Sequence, residues 1–184
     1  MGGGKSGRLI QQVHAHQQRS LTTEVFVPSM ILSASSGPDA VVKSRIGITC
    51  RGIPFDQETD LRAHLHGLSA LPQTIFVDEA QFLTSAQVGQ LGTYADEVRT
   101  NVECYGLRTD SNGTLFEGSQ ALFEVADEFE EITSICYCGK RATMTLRYDK
   151  SSGAVIREGD QICIGGDDMY VAVCRFHWSK GEYN

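Results

Sequence analysis

The sequence predicts an α/β protein in which a parallel sheet with flanking helices precedes a small β-rich module. Three observations predict this organisation: an apolar run at 74–77 that ends in acidic residues, a helical pattern followed by a second apolar run, and short β-type runs separated by glycine-containing turns after residue 134. An unbroken apolar run is typical of a parallel strand that is buried on both faces. We therefore expect a core over residues 1–133 and a β-rich module over 134–184.

The individual elements follow from residue patterns in chain order. Thr84 and Gln87 match a capping box, which predicts that a helix begins after Thr84 and continues to about Val98. A helix between two buried strands is a βαβ unit, and such units build parallel sheets. The other expected elements are a helix at 8–19, a strand at 24–27, a loop at 33–39, strands at 45–50, 74–77 and 102–107, a helix at 56–68, and β-type runs at 143–147, 161–164 and 170–174.

Composition excludes several classes of protein. The chain is 41% hydrophobic and 21% charged, which is ordinary for a globular protein with a buried core. Its net charge of -7 argues against binding to nucleic acid phosphates. The sequence contains no run of about 18 apolar residues, which a membrane-spanning helix would require. The N-terminal residues lack the apolar stretch of a signal peptide, so we expect a cytoplasmic protein with reduced cysteines.

The first six residues end like a phosphate-binding loop. Gly2, Gly3 and Gly4 precede Lys5 and Ser6, which matches the end of the Walker A pattern GxxxxGK[ST]. Glycines allow backbone N–H groups to face phosphate, lysine reaches the β- and γ-phosphates, and the serine hydroxyl binds Mg²⁺. The strand that usually precedes such a loop is missing. Either the chain begins downstream of its natural start, or the loop is held in another way.

An acidic pair follows the apolar run at 74–77. Asp78 at the end of a buried strand is suited to holding Mg²⁺ beside a phosphate loop. Glu79 could accept the proton of a hydroxyl that attacks the γ-phosphate. Gln81 is assigned to the same ATP and Mg²⁺ site. The alternative is a solvated, charged strand end without chemistry.

Three cysteines and one histidine have the spacing of metal ligands. Cys136-x-Cys138 precedes Cys174-x₂-His177, and three thiolates with one imidazole complete a closed tetrahedral zinc site. The β-rich module is too small for a large core, so we interpret this zinc as structural. The alternative to a zinc site is that these are three unrelated core cysteines and a surface histidine.

Four blocks in order resemble the thymidine kinase family, most closely its bacterial branch. The resemblance covers nearly the whole chain, and the blocks are Phe76–Leu83 (FVDEAQFL), Cys104–Asp110 (CYGLRTD), Cys136–Gly139 (CYCG), and Ile164–Gly166 continued by Tyr170–His177 (YVAVCRFH).

This resemblance implies that ATP phosphorylates thymidine to thymidine 5′-monophosphate. By position, Glu79 matches the family's general base, Lys5 and Ser6 its phosphate and Mg²⁺ ligands, and Asp78 its Walker B acid. The family is commonly homotetrameric and binds structural zinc at the positions of Cys136, Cys138, Cys174 and His177. Its thymine-binding lasso loop and a neighbouring aromatic residue match Gln161, Ile162, Cys163, Ile164, Gly165, Tyr170 and Phe116.

Besides the missing strand before the phosphate loop, two departures from the family pattern keep other functions open. The loop at 33–39 lacks the family's acidic residue and arginine, and Ser111 stands where a phenylalanine often contacts the base. The alternatives are a nucleotide-binding relative without turnover, another small-metabolite kinase, and a zinc ribbon that binds nucleic acid. The last is disfavoured by the negative net charge.

Overall fold

A computed structural model describes residues 4–31, 40–159, 161 and 170–184. The chain forms two compact units. The core unit comprises the described residues of Gly4–Gly106 and Glu117–Asp127, and the C-terminal unit those of Leu107–Phe116 and Glu128–Asn184. Leu107–Phe116 joins the C-terminal unit, which the sequence did not indicate. The assignment of 1–133 and 134–184 as separate domains stays a prediction.

The core unit is a mainly parallel sheet with helices, as predicted. Its elements are α1 (Lys5–Gln18), β1 (Thr23–Pro28), a 3₁₀ turn (Ser29–Ile31), β2 (Ala40–Lys43), β3 (Thr49–Phe55), α2 (Leu61–His66), β4 (Thr74–Val77), a 3₁₀ turn (Ala80–Phe82), α3 (Ser85–Val98), β5 (Asn101–Cys104) and α4 (Glu117–Val125). Strands lie in the order β2-β3-β1-β4-β5, with β1 parallel to β3 and β4, β4 parallel to β5, and β2 antiparallel to β3.

The hydrophobic core forms around β4, whose four residues are all buried. Ile75 and Val77 of β4 pack with Phe26 of β1 and with apolar residues of α2, α3 and α4. Helix α1 buries Leu9, Ile10 and Val13 on one face. None of the helices in the described ranges is long and apolar enough to cross a membrane.

The capping box that begins α3 is confirmed. The Thr84 hydroxyl accepts from the Gln87 N–H at 3.2 Å, and the Gln87 side chain accepts from the Thr84 N–H at 3.1 Å. Gln87 also donates to the Asp56 carbonyl at 2.6 Å and the Thr59 carbonyl at 3.0 Å. Its side chain therefore joins the start of α3 to the segment before α2.

Several predicted boundaries were wrong. The strand expected at 45–50 begins only at Thr49, because Gly47 with φ 86° forms a turn closed by the Ser44 N–H on the Ile48 carbonyl at 2.9 Å. The helix expected at 56–68 is shorter, because Asp56 accepts hydrogen bonds from the Glu58 N–H and the Thr59 hydroxyl in a local turn.

Strand β5 is half-buried at the sheet edge rather than fully buried. Helix α4 and the strand β2 were not predicted. The loop predicted at 33–39 lies outside the described residues.

The C-terminal unit is β-rich, as predicted. Its elements are β6 (Ser134–Ile135), β7 (Arg141–Ala142), β8 (Met144–Tyr148), β9 (Val155–Ile156), β10 (Tyr170–Val173) and α5 (Arg175–Lys180). Antiparallel strands lie in the order β10-β8-β9, and β6 pairs with β7. Leu146 and Val173 form a small core with two cysteines. The sequence missed α5, and of the expected strand at 161–164 only Gln161 lies among the described residues, in a bend.

We predict that Thr84→Ala destabilises the core unit by about 1 kcal/mol, because the first turn of α3 loses a side-chain acceptor for its N–H groups. The measurement is the urea midpoint of unfolding, with an unchanged slope. Thr93→Ala, at an exposed position inside the same helix, is the matched control and should be neutral or slightly stabilising. Equal midpoints for both variants would contradict the role of the cap.

Candidate phosphate and metal sites

The predicted phosphate loop leads directly into a helix. Gly4 precedes α1 with φ 78°, a left-handed conformation that glycine adopts without strain, and Lys5 is the first helical residue. The N-terminus of a helix presents unpaired N–H groups and a partial positive charge, which together favour a phosphate group. Gly2 and Gly3 lie outside the described residues.

The acidic strand end meets this helix start. The Ser6 hydroxyl donates to Asp78 Oδ2 at 3.0 Å, and Lys5 Nζ lies 3.8 Å from Glu79 Oε1. The four residues come from two segments of chain that the fold joins at the carboxyl end of β4. Ligands bind at the carboxyl ends of strands in open α/β sheets, so the location suits a phosphate site.

The buried carboxyl group of Asp78 has an unusual acidity. Burial and the neighbouring negative charge of Glu79 raise its pKa to about 6, although Ser6 and Lys5 act in the opposite direction. A divalent cation at this position would supply the missing positive charge. The serine hydroxyl and the carboxylate are oxygen donors of the kind that Mg²⁺ prefers, so Ser6 and Asp78 fit that ion.

Glu79 is held in a strained backbone conformation. Its φ and ψ are both 45°, in the left-handed region, which costs a non-glycine residue about 1–3 kcal/mol. Two hydrogen bonds stabilise the turn: the Ala80 N–H donates to the Tyr105 carbonyl at 2.9 Å, and Gln81 Nε2 donates to Glu79 Oε2 at 2.6 Å. The side chain of Gln81 therefore contacts Glu79, and its assignment to ATP and Mg²⁺ stays a prediction.

A glycine in α4 allows the helix to pack closely on this turn. A Cβ at Gly118 would lie 2.6 Å from the Leu83 carbonyl oxygen and 2.7 Å from that of Ala80. No larger residue fits without moving the backbone that follows Glu79. Strain that surrounding structure maintains in this way is common at functional sites.

The predicted metal ligands come together in the C-terminal unit. The ligand atoms of Cys136, Cys138, Cys174 and His177 lie within 4.8 Å of one another. Cys138 Sγ and Cys174 Sγ are 4.0 Å apart, and His177 Nδ1 lies 3.4 and 3.3 Å from the sulfurs of Cys136 and Cys174. Tetrahedral zinc with its usual bond lengths requires separations of about 3.8 Å between sulfurs and about 3.6 Å between sulfur and nitrogen. The cluster therefore fits zinc.

The acidity of the cluster also favours a metal. Burial alone would raise the pKa of the Cys136 thiol, but backbone hydrogen bonds from Cys138 and Cys174 and a bond with His177 lower it to about 6. The Lys140 N–H lowers the pKa of Cys138, yet burial and the two neighbouring thiols outweigh it and raise that pKa. Neighbouring thiolates repel each other, so three can coexist only with a cation between them.

The two described cysteines of the core unit lie outside the cluster, and their thiols differ in acidity from that of Cys136. Burial raises the pKa of Cys104 to about 12 and that of Cys50 to about 11, with a further contribution from nearby carboxylates. Both are therefore neutral thiols at physiological pH, and neither belongs to the Cys/His cluster.

The residues predicted to contact the nucleoside lie in the C-terminal unit where they are described. Phe116 is buried, Tyr170 begins β10, and Gln161 Nε2 donates to Asp110 Oδ2 at 3.1 Å and the Leu115 carbonyl at 3.3 Å. Ile162, Cys163, Ile164 and Gly165 lie outside the described residues. Sequence reasoning missed Asp110 as the partner of Gln161, although it ends one of the four blocks that carry the resemblance.

Comparison with known proteins decides the family. A family model for thymidine kinase matches residues 1–178. The chain belongs to the thymidine kinase family. It is similar to the thymidine kinase of Xanthomonas campestris pv. campestris strain 8004, with 44% identity over 98% of this chain and 86% of the relative. It is 43% identical to that of Agrobacterium fabrum strain C58, over 97% of this chain and 91% of the relative. These matches confirm the family and the bacterial resemblance inferred from the sequence, and they identify the chain as an ATP-dependent kinase.

We predict one zinc ion per chain, lost on Cys174→Ser because serine is a poor zinc ligand and its neighbours then lack a complete tetrahedron. The measurement is metal analysis of purified protein by mass spectrometry. Cys104→Ala, which removes a thiol outside the cluster, is the control and should retain its zinc. Zinc loss in the control, or retention in Cys174→Ser, would contradict the assignment.

Proposed function

We propose that this thymidine kinase family member transfers the γ-phosphoryl group of ATP to the 5′-hydroxyl of thymidine, giving ADP and thymidine 5′-monophosphate. The observation that carries the proposal is the meeting of Lys5 and Ser6 with Asp78 and Glu79 at one end of β4. Phosphoryl transfer depends mainly on positioning and electrostatic stabilisation, and these four side chains supply both.

The start of α1 binds the phosphates of ATP in this proposal. Backbone N–H groups of its first turn and the Lys5 ammonium face the β- and γ-phosphate oxygens. Ser6 and Asp78 hold Mg²⁺, which when bound neutralises negative charge on the transferring group. Burial penalises the charge of the Asp78 carboxylate and raises its pKa to about 6, and a bound cation would offset that penalty, which supports its role as a metal ligand.

Glu79 acts as the general base. Gln81 holds Oε2, so the second oxygen, Oε1, is the one that remains to accept the proton of the 5′-hydroxyl. That oxygen lies 3.8 Å from Lys5 Nζ, and phosphate oxygens compete for the same ammonium. Drawing Lys5 toward ATP would free Oε1 for proton transfer, so nucleotide binding would prepare the base.

The family resemblance supports the nucleoside contacts. Phe116, Tyr170 and the segment from Gln161 to Gly165 match its thymine-binding positions, and the hydrogen bond between Gln161 and Asp110 gives one of them a defined side-chain orientation. A site that hydrogen-bonds the edge of a base discriminates strongly against bases with another donor pattern. On the same basis we propose a homotetramer, and a cytoplasmic location where ATP is available and cysteines stay reduced.

A binding protein without turnover is the main alternative. Such a protein would use Lys5, Ser6 and Asp78 but would have no need for a carboxylate held in a strained turn. The conformation of Glu79 and its bond from Gln81 therefore favour an enzyme. Nucleic acid binding has no support from a chain with net charge -7.

We predict that Glu79→Gln lowers kcat by a factor of about 10²–10⁴, because the amide cannot accept the hydroxyl proton. Affinity for ATP should stay within about threefold, since the phosphate contacts lie elsewhere. The measurements are thymidine-dependent ADP release and ATP binding by calorimetry.

Glu58→Gln, an exposed carboxylate of the same unit, is the matched control and should retain full turnover. Near-normal turnover by Glu79→Gln would exclude the base assignment. A loss of ATP binding together with turnover would assign Glu79 to the nucleotide site instead.

A further inference from the structure

The single tryptophan of the chain connects the metal cluster to a turn at 109–115. Trp178 follows the ligand His177 in α5, and its backbone N–H donates to the carbonyl of the ligand Cys174 at 2.9 Å. Its indole N–H donates to the Ser111 carbonyl at 2.9 Å. One residue thus hydrogen-bonds to both structures, and all of these residues belong to the C-terminal unit.

The turn packs directly on the indole ring. Gly113 has φ 83°, and a Cβ at this position would lie 3.2 Å from the Trp178 ring. The Arg157 guanidinium lies 4.7 Å from the ring centre and also donates to the Trp178 carbonyl. The ring therefore has a fixed orientation, and any rotation of α5 would move the turn with it.

Hydrogen bonds within the turn fix the orientation of the Asp110 carboxylate, which accepts a hydrogen bond from Gln161. Asp110 Oδ1 accepts from the Asn112 N–H at 2.8 Å and the Thr114 N–H at 2.9 Å. This leaves Oδ2 to accept from the Gln161 amide at 3.1 Å. The carboxylate is buried, so its orientation depends on these three donor groups rather than on water. A shift of the turn would therefore move Gln161.

We propose that Trp178 is a positioning residue for the nucleoside: it transmits the order of the metal cluster through the 109–115 turn to Asp110 and Gln161. The proposal rests on the proposed function, in which Gln161 and the adjoining Phe116 contact thymidine. The described residues among the predicted ATP contacts, Gly4, Lys5, Ser6, Asp78 and Gln81, belong to the core unit, and none of them is a member of this chain of hydrogen bonds. Weakening the link should therefore raise the KM for thymidine and leave that for ATP unchanged.

A simpler role for Trp178 is packing in the small core with Leu146 and Val173. In that case its removal would lower stability and affect both substrates equally, or neither. The split between the two KM values distinguishes the roles.

The variant that tests the link is Trp178→Phe, which keeps an aromatic ring but removes the N–H donor. We expect about a fivefold rise in the thymidine KM, the effect of one lost hydrogen bond, with kcat and the ATP KM within twofold. Tyr183→Phe is the matched control: its hydroxyl donates to the Gly153 carbonyl at 2.7 Å, in the same unit but away from the turn. That variant should leave both KM values unchanged.

Hydrogen exchange measured by mass spectrometry gives a readout independent of activity. Amides of residues 110–114 should exchange faster in zinc-loaded Trp178→Phe and at the wild-type rate in Tyr183→Phe. Should Trp178→Phe lose its zinc or fail to fold, Gly113→Ala disturbs the same contact from the turn and is expected to give the same pattern. Unchanged exchange and an unchanged thymidine KM in a folded variant would overturn the proposal.

Removing zinc from the wild-type chain tests the other half of the link. Because Trp178 is the single tryptophan of the chain, tryptophan emission reports on α5 alone. Chelation of zinc should shift this emission to longer wavelength and should accelerate amide exchange at residues 110–114. Exchange that stays constant after zinc removal would overturn the coupling. Both readouts apply even if the wild-type chain does not phosphorylate thymidine, an outcome that would reject the proposed function without affecting this test.

Discussion

Complete burial of β4 between two parallel neighbours is the constraint on which the phosphate site depends. The Asp78 N–H bonds to the Phe26 carbonyl at 2.9 Å and the Tyr105 N–H to the Val77 carbonyl at 2.8 Å, so both neighbouring segments hold the end of the strand. The chain must leave the sheet at this point, and the first side chain after it is a buried carboxylate. Its desolvation is offset in part by the Ser6 hydroxyl, and that bond joins the acidic strand end to the start of α1. Hydrophobic packing of one strand thus determines the location of the proposed phosphate chemistry.

The residues that follow β4 orient the carboxylate of Glu79. Glu79 occupies a left-handed conformation because the turn behind it is confined on two sides, by the Tyr105 carbonyl and by the close approach of α4 at Gly118. Gln81 donates to one oxygen of the Glu79 carboxylate, and in the proposed mechanism the other oxygen accepts the proton. In the C-terminal unit we propose that metal held by the cluster helps to fix Trp178 and the 109–115 turn, since the hydrophobic core of this unit contains only a few residues.

Sequence patterns predicted those parts of the fold that local chemistry determines. The apolar run of β4, the capping box of α3 and the spacing of Cys136, Cys138, Cys174 and His177 each depend on a few neighbouring residues, and each was confirmed. The hairpin before β3 was not predicted, because Gly47 interrupts an alternation that otherwise indicates one strand. The bond from Gln81 to Glu79 and the contact of Trp178 with Ser111 depend on tertiary packing, which no spacing in the sequence encodes. The roles of the site residues remain predictions to be tested chemically.

The most direct measurement for the central claim is phosphorus NMR of the wild-type chain with ATP, Mg²⁺ and thymidine. The account predicts that ADP and thymidine 5′-monophosphate appear in equal amounts. The reason is that the residues at the end of β4 align the general base, Glu79, with a bound γ-phosphate, and the nucleoside replaces water as the phosphoryl acceptor. Release of inorganic phosphate without the monophosphate would show that Lys5, Ser6, Asp78 and Glu79 activate ATP but do not direct it to thymidine. A spectrum in which ATP remains intact, with zinc bound and the fold retained, would contradict the account.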